Sequence, residues 1–233
     1  MPTKNEFCTI VDWEFLPQVV VLLRSLADVC DDFKLRVYCL DHRALEVLRR
    51  AKLPGSVPLD FALLEAADPD LHAVKQERTR AEYCWTATPA LCRYVLQREP
   101  ELEMITYLDA DLMFFADPSE VLTEIGANSV LLFPQRIGSR EQGWSDLTAG
   151  SAAAERLTET YGSFNAGTIT VRNDDHGHAV LEWWRERCLE WCFDRKEPGR
   201  WADQRYLEEM LSVLSPTIHR AASDNPSSYY PPI

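Results

Sequence analysis

The stretch Met104-Ile-Thr-Tyr-Leu-Asp-Ala-Asp-Leu-Met-Phe-Phe115 decides how this chain is read. Met104 to Leu108 is a short apolar run that reads as a buried strand. Asp109 and Asp111 follow at its end, and a second apolar run, Leu112 to Phe115, comes at once. Residues i and i+2 of an extended chain point to the same side, so the spacing predicts two carboxylates together at a strand end. Such a pair repels unless a cation lies between the groups. All-oxygen ligation suits Mg²⁺ or Mn²⁺, and these ions commonly bridge to substrate phosphates. The carboxyl end of a strand is also where open α/β sheets bind ligands. The first expectation is a divalent metal holding a phosphorylated substrate. Asp-x-Asp is a common triplet, and a surface turn of solvated acids fits it too.

Working outward, strand-like and helix-like segments alternate. Phe7–Val11 reads as a strand, Leu16–Val29 as a helix with Pro17 tolerated in its first turn, and Lys34–Leu40 as a second strand. His42–Ala51 is a second helix, broken by Pro54-Gly55, and Val57–Leu63 a third strand. Ala87–Arg98 has helical period, Asp117-Pro118 opens a short helix, and Ser129–Phe133 is a strand. Residues 134–163 read as a long loop with a helical patch at 152–160, and long loops inside domains are often functional lids. Ala166–Val171 returns to strand, His176–Arg195 and Ala202–Leu214 are helices, and the tail from about 215 to 233 is irregular. Repeated β-α units predict a mostly parallel central sheet flanked by helices, in a single α/β domain over residues 1–233.

Composition narrows the function. The formal net charge is −13, from 24 basic and 37 acidic residues. That argues against broad nucleic-acid binding, which needs a basic footprint, and against docking on anionic lipid. The start, Met1 to Glu6, is polar and reads as no secretory signal, and no segment reaches the ~20 apolar residues of an integral membrane span. Seven cysteines scattered through apolar patterns read as reduced, cytoplasmic usage. Cys188 and Cys192 can share a helix face, but no His or Cys cluster completes a zinc site around them.

Further segments carry polar chemistry. Phe164-Asn-Ala-Gly167 leads into a strand, where small residues let backbone and the Asn165 amide approach a ligand; a tight turn at Gly167 explains the same residues. Asp203 and Gln204 can hydrogen-bond sugar hydroxyls or cap the last helix. Arg78 and Arg93 flank Glu82-Tyr-Cys-Trp85, and a guanidinium suits diphosphate oxygens as well as a solvated helix face.

Thr106-Tyr-Leu-Asp-Ala-Asp111, Phe164-Asn-Ala-Gly167 and Ala202-Asp-Gln204, in that order, resemble the nucleotide-sugar glycosyltransferases of the GT-A fold. They are most similar to family 8 and to uncharacterised bacterial relatives, as are Ala81–Ala90 and Trp183–Cys192, and the resemblance covers about residues 5 to 210. It implies that Asp109 and Asp111 hold Mn²⁺ or Mg²⁺ on a donor diphosphate, UDP-sugar being the family expectation. Thr9, Val11 and Asp12 would line the base pocket, Arg93 would contact the diphosphate or donor sugar, and Ala110 would offer backbone to the ribose. Asn165 and Gly167 would face donor or acceptor sugar, and Asp203 and Gln204 would lie at the reacting centre. The activity implied is that of a hexosyltransferase, moving sugar with retention to the hydroxyl of a carbohydrate, lipid or protein acceptor.

One departure stands out. The family supplies a third metal ligand, a histidine in a His-x-x-Gly-x-x-Lys-like segment, and this sequence has no such segment after Gln204. His219 is the histidine there; it, or water, would complete the shell, or the sequence is shortened. A degenerate nucleotide-sugar binding protein is the alternative this favours. A sugar-nucleotide pyrophosphorylase is a further alternative, weakened because the loop Asp12-Trp-Glu-Phe-Leu-Pro17 is acidic and aromatic rather than glycine-rich and basic.

Overall fold

The computed structural model describes residues 5–135, 158–214 and 217–221. Seven strands form one sheet: β1 (Asn5–Val11), β2 (Phe33–Cys39), β3 (Ser56–Asp60), β4 (Met104–Leu108), β5 (Val130–Pro134), β6 (Phe164–Arg172) and β7 (Ile218–Arg220). Their order is β3-β2-β1-β4-β6-β5-β7. Four of the pairings are parallel; β6 runs antiparallel between β4 and β5. This is the expected α/β architecture, a mostly parallel sheet flanked by helices.

The helices include α1 (Leu16–Val29), α2 (His42–Ala51), α3 (Ala62–Ala67), α4 (Pro69–Val74), α5 (Arg80–Arg98), α6 (Ser119–Leu122), α7 (Asp175–Glu190) and α8 (Tyr206–Leu214). Side chains alternate across the strands, so the sheet has two cores. Phe7, Val11, Leu35 and Val37 pack under α1 and α2. Cys8, Ile10, Ile105, Tyr107 and Ile169 pack under α5, α7 and α8 with Leu91 and Trp184.

Several expected boundaries move. Helix α5 starts at Arg80 rather than Ala87, because Thr79 and Glu82 form a reciprocal capping box that satisfies orphan N–H groups at its start. Strand β3 stops at Asp60, whose carboxylate accepts from the Ala62 N–H and turns the chain into α3. Helix α7 ends at Glu190, and α8 begins at Tyr206 rather than Ala202. The tail expected to be irregular contributes β7, which pairs with β5 in parallel. Residues 215–216 and 222–233 of that tail, and residues 136–157 of the expected lid with most of its helical patch, lie outside the described residues.

Two buried ion networks brace the shell. Arg36, 1% exposed on β2, bonds Glu99 through two nitrogens and Glu6 at 2.7 Å. Arg185 on α7 holds Asp68 ahead of α4 with two bonds of 2.6 Å.

Candidate active site

Strands β1, β2 and β4 are parallel and point their carboxyl ends to one edge of the sheet, and antiparallel β6 starts at that same edge. The register Leu108↔Thr168 therefore brings Phe164-Asn-Ala-Gly167 beside Asp109. The Asp109 N–H donates to the Gly167 carbonyl at 2.8 Å. The strand ends at Leu108, and the Leu112 N–H donates to the Asp109 carbonyl at 3.3 Å. The two carboxylates thus sit on a turn, not on the extended backbone from which their same-side placement was inferred. Burial raises the Asp111 carboxyl above the usual range.

Asp203 joins them from the far end of the chain. It is 5% exposed, and its pKa is pushed well above the usual carboxylate range, first by burial and then by the charge of Asp109. Its carbonyl accepts from the Trp184 indole N–H at 3.0 Å. The residue before it, Ala202, has φ +48°, an uncommon non-glycine conformation that clusters at functional sites. Gln204 ties the motifs together: its Oε1 accepts from the Ala166 N–H at 3.3 Å, and its Nε2 donates to the Tyr161 carbonyl at 2.8 Å and to Gln135 Oε1 at 2.5 Å. Asn165 Oδ1 accepts from the Gly167 N–H at 2.6 Å, folding that amide onto its own loop.

At the β1 end, Asp12 accepts from the Phe15 N–H at 2.9 Å and pairs with Arg80 at 3.1 Å. Asp41, after β2, accepts from the Trp13 N–H at 2.7 Å and lies 3.7 Å from the same arginine. The Arg43 guanidinium stacks 3.4 Å over Trp13. Thr9 and Val11 follow Phe7 in the alternation of β1. They share the Phe7 side of β1, beneath α1, where both are closed off from solvent; Thr9 Oγ1 is buried with no hydrogen-bond partner among the described residues. Ala110 is likewise packed on that side.

The arginines and His219 have other surroundings. Arg93 pairs with Glu182 of α7 at 2.5 Å. Arg78 is buried, donates to the Leu189 carbonyl at 3.1 Å and lies 4.0 Å over Phe193. His219 sits on β7, paired with Leu131 and three strand positions from β4, which is roughly 14 Å across the sheet. It therefore stands apart laterally from Asp109 and Asp111, to which the sequence reading assigned it as a third ligand. Among the described residues no three His, Cys, Asp or Glu side chains gather as a metal cluster. Nor is any helix there long and apolar enough to cross a membrane.

Three side chains near Asp109 escaped the sequence reading. Burial, then the charges of Asp12 and Asp109, push the Cys84 thiol up to about 12, against the opposing charge of Arg80. Thr88, one turn on, hydrogen-bonds Tyr107, whose phenol is raised by burial and then by Asp109. The Thr79-x-x-Glu82 capping signature carries the missing signal: once α5 starts at Arg80, Cys84 and Thr88 share the face over the strand ends.

No family model matches the chain. The fold is that of the GT-A glycosyltransferases. The glycosyltransferase GlyE of Streptococcus pneumoniae TIGR4 superposes with a TM-score of 0.58 at 17% identity, covering 94% of this chain and 45% of GlyE. The galactosyltransferase LgtC, solved in complex with donor and acceptor sugar analogs, gives 0.56 at 15% identity over 92% of this chain and 72% of LgtC. Similarity at that identity speaks for the fold alone. The uncharacterized protein YfnF of Bacillus subtilis (strain 168) is 37% identical over 217 residues, 92% of this chain and 67% of YfnF. The chain belongs to the YfnF family.

Proposed function

We propose that the chain transfers a sugar, a hexose on the family expectation, from a nucleotide-diphosphate donor, UDP-sugar first among them, to a hydroxyl acceptor with retention. The observation that carries this reading is the assembly of Asp109, Gly167, Asp203 and Gln204 at one edge of the sheet by the bonds and charges described above. These residues are far apart in sequence, and a surface turn of solvated acids would not set a buried Asp203 within reach of the charge of Asp109.

The donor set fits Mg²⁺ or Mn²⁺, which take one or two carboxylates and leave the remaining positions to water and phosphate oxygens. Asp109 and Asp111 would hold the ion, which when bound supplies positive charge against the leaving diphosphate. The chain's own part is to position. The Gly167 carbonyl fixes the Asp109 backbone. Gln204 fixes the start of β6 through the Ala166 N–H. Asp203 offers a carboxyl oxygen to the sugar ring as it gains positive charge. Asp12 and the loop after it, pinned by Phe15 and Trp13, form the base end of the site. All seven cysteines are free thiols, which supports a cytoplasmic reading.

Isothermal calorimetry with UDP-glucose and Mn²⁺, followed by donor hydrolysis without acceptor, tests this. Metal-dependent binding and slow hydrolysis are expected, and unchanged binding in the double variant Asp109→Asn, Asp111→Asn would refute it. The distance of His219 from Asp109 favours a second reading, a nucleotide-sugar binding protein without turnover; donor binding with no hydrolysis or transfer would select it.

A further inference from the structure

Three aromatic side chains stand beside the reacting residues without a part in the account so far. Trp201 lies two residues before Asp203. The Tyr161 ring meets it edge-on at 4.6 Å, and Trp85 of α5 tilts against it at 6.2 Å. All three are half-buried, whereas Trp184, which packs the core nearby, is fully enclosed. The left-handed turn at Ala202, whose N–H donates to the Phe193 carbonyl at 3.2 Å, separates Trp201 from the buried carboxyl that follows. Tyr161 is tied to the same centre through the Gln204 amide. Trp85 follows Cys84, whose thiol feels the charge of Asp109, and Pro89 leaves the Trp85 carbonyl without its helical N–H donor.

We propose that Trp85, Trp201 and Tyr161 form an acceptor subsite that takes a pyranose ring, so that the acceptor is a carbohydrate; this rests on the transferase reading above. Half-exposed rings beside convergent polar groups are the usual lining of a small-molecule site. A pyranose has one apolar C–H face rimmed by hydroxyls. The rings match the face, and the Lys196 ammonium, 4.7 Å over Tyr161, matches the rim. A lipid tail would need a continuous apolar surface, which these polar groups interrupt. A polyanionic acceptor would meet a protein of formal charge −13.

The test is saturation-transfer NMR on the full chain with methyl β-D-glucopyranoside, methyl β-D-galactopyranoside and methyl N-acetyl-β-D-glucosaminide, with 1-octanol as the apolar probe. Transfer to ring protons of at least one pyranoside is expected. Trp201→Ala and Trp85→Ala should each weaken it roughly tenfold, and Trp201→Phe should retain most of it. No transfer to any pyranoside, equal transfer in the alanine variants, or octanol occupying the same rings would overturn the subsite. Calorimetry with UDP-glucose and Mn²⁺ separates the two claims. Donor binding without pyranoside contact sinks the subsite alone, and pyranoside contact without donor binding sinks the transferase reading.

Discussion

The backbone N–H of Asp109 donates to the carbonyl of Gly167 at 2.8 Å. This bond continues the β4–β6 ladder one step past the end of β4. It ties the backbone of Asp109, the first acid of the Asp-x-Asp turn, to the small residues at the start of β6. Two motifs more than fifty residues apart are thereby held as one rigid edge, and preorganised placement is what charge stabilisation needs.

Asp109→Asn and Asp111→Asn should each leave the fold intact, because an amide keeps the shape of the carboxylate and the Asp109–Gly167 and Leu112–Asp109 bonds are between backbone groups. Donor turnover should fall by at least about 10²-fold in each, the scale of removing one preorganised charge-stabilising group. Chelation of the wild type with EDTA should give the same loss, reversed by added Mn²⁺. Full activity in EDTA would contradict the metal role.

Asp203 trades stability for position. A buried acid whose folded-state pKa lies above its unfolded value holds its proton more tightly when folded. Stability is then lost as pH rises from the unfolded pKa through the folded one. The Asp203 carboxyl is raised in this sense, by burial and by Asp109. Asp203→Asn should therefore raise the melting temperature at pH 7, by roughly 2–4 °C for each kcal/mol relieved in a chain of this size. The gain should shrink below about pH 4, where the unfolded acid is protonated too. Donor hydrolysis should fall in the same variant. Thermal melts at pH 4 and 7 decide the matter, and a lower melting temperature at pH 7 would count against an enclosed, destabilising charge.

Much of this was readable locally. The bounds of α1, α2 and β4 follow from apolar period and end signals: Pro17 in the first turn of α1, and Asp41 capping α2 through the Ala44 N–H. The order of the Asp-x-Asp, Asn-Ala-Gly and Asp-Gln segments carried the GT-A resemblance. What was hidden is non-local. Nothing in residues 164–172 says that β6 inserts antiparallel between β4 and β5, yet that insertion places Gly167 at Asp109. The Glu182 partner that α7 brings to Arg93, and the place of His219 on β7 beyond β5, are likewise invisible in the local sequence. Residue type gives chemical capacity; partners are set by topology.

Arg36 is a test of the shell beneath the site. Its guanidinium serves Glu6 and Glu99 at once while 1% exposed. Arg36→Met keeps an unbranched stem as far as the position of Nε but takes the guanidinium from Glu6, itself 8% exposed. Breaking one side of a buried pair costs about 3–5 kcal/mol. Urea denaturation should show a loss of that order, with Glu6→Gln in the same background recovering part of it. A loss below about 1 kcal/mol would place the network among weak surface pairs.

Gly177 sets two effects against each other. It occupies the first turn of α7, where its N–H donates to the capping Asp174 at 2.7 Å. Helix propensity alone says that Gly→Ala stabilises by about 1 kcal/mol. A Cβ here, however, would stand 2.1 Å from the Arg172 carbonyl oxygen and 3.0 Å from Val171 Cγ1. The nearest obstacle is backbone at the end of β6, which cannot rotate away. Overpacking of this kind costs about 1–3 kcal/mol, and displacement of the cap adds to it. Gly177→Ala should therefore lower the melting temperature, the opposite of the propensity forecast. A rise would mean that the junction between α7 and β6 is looser than these distances require.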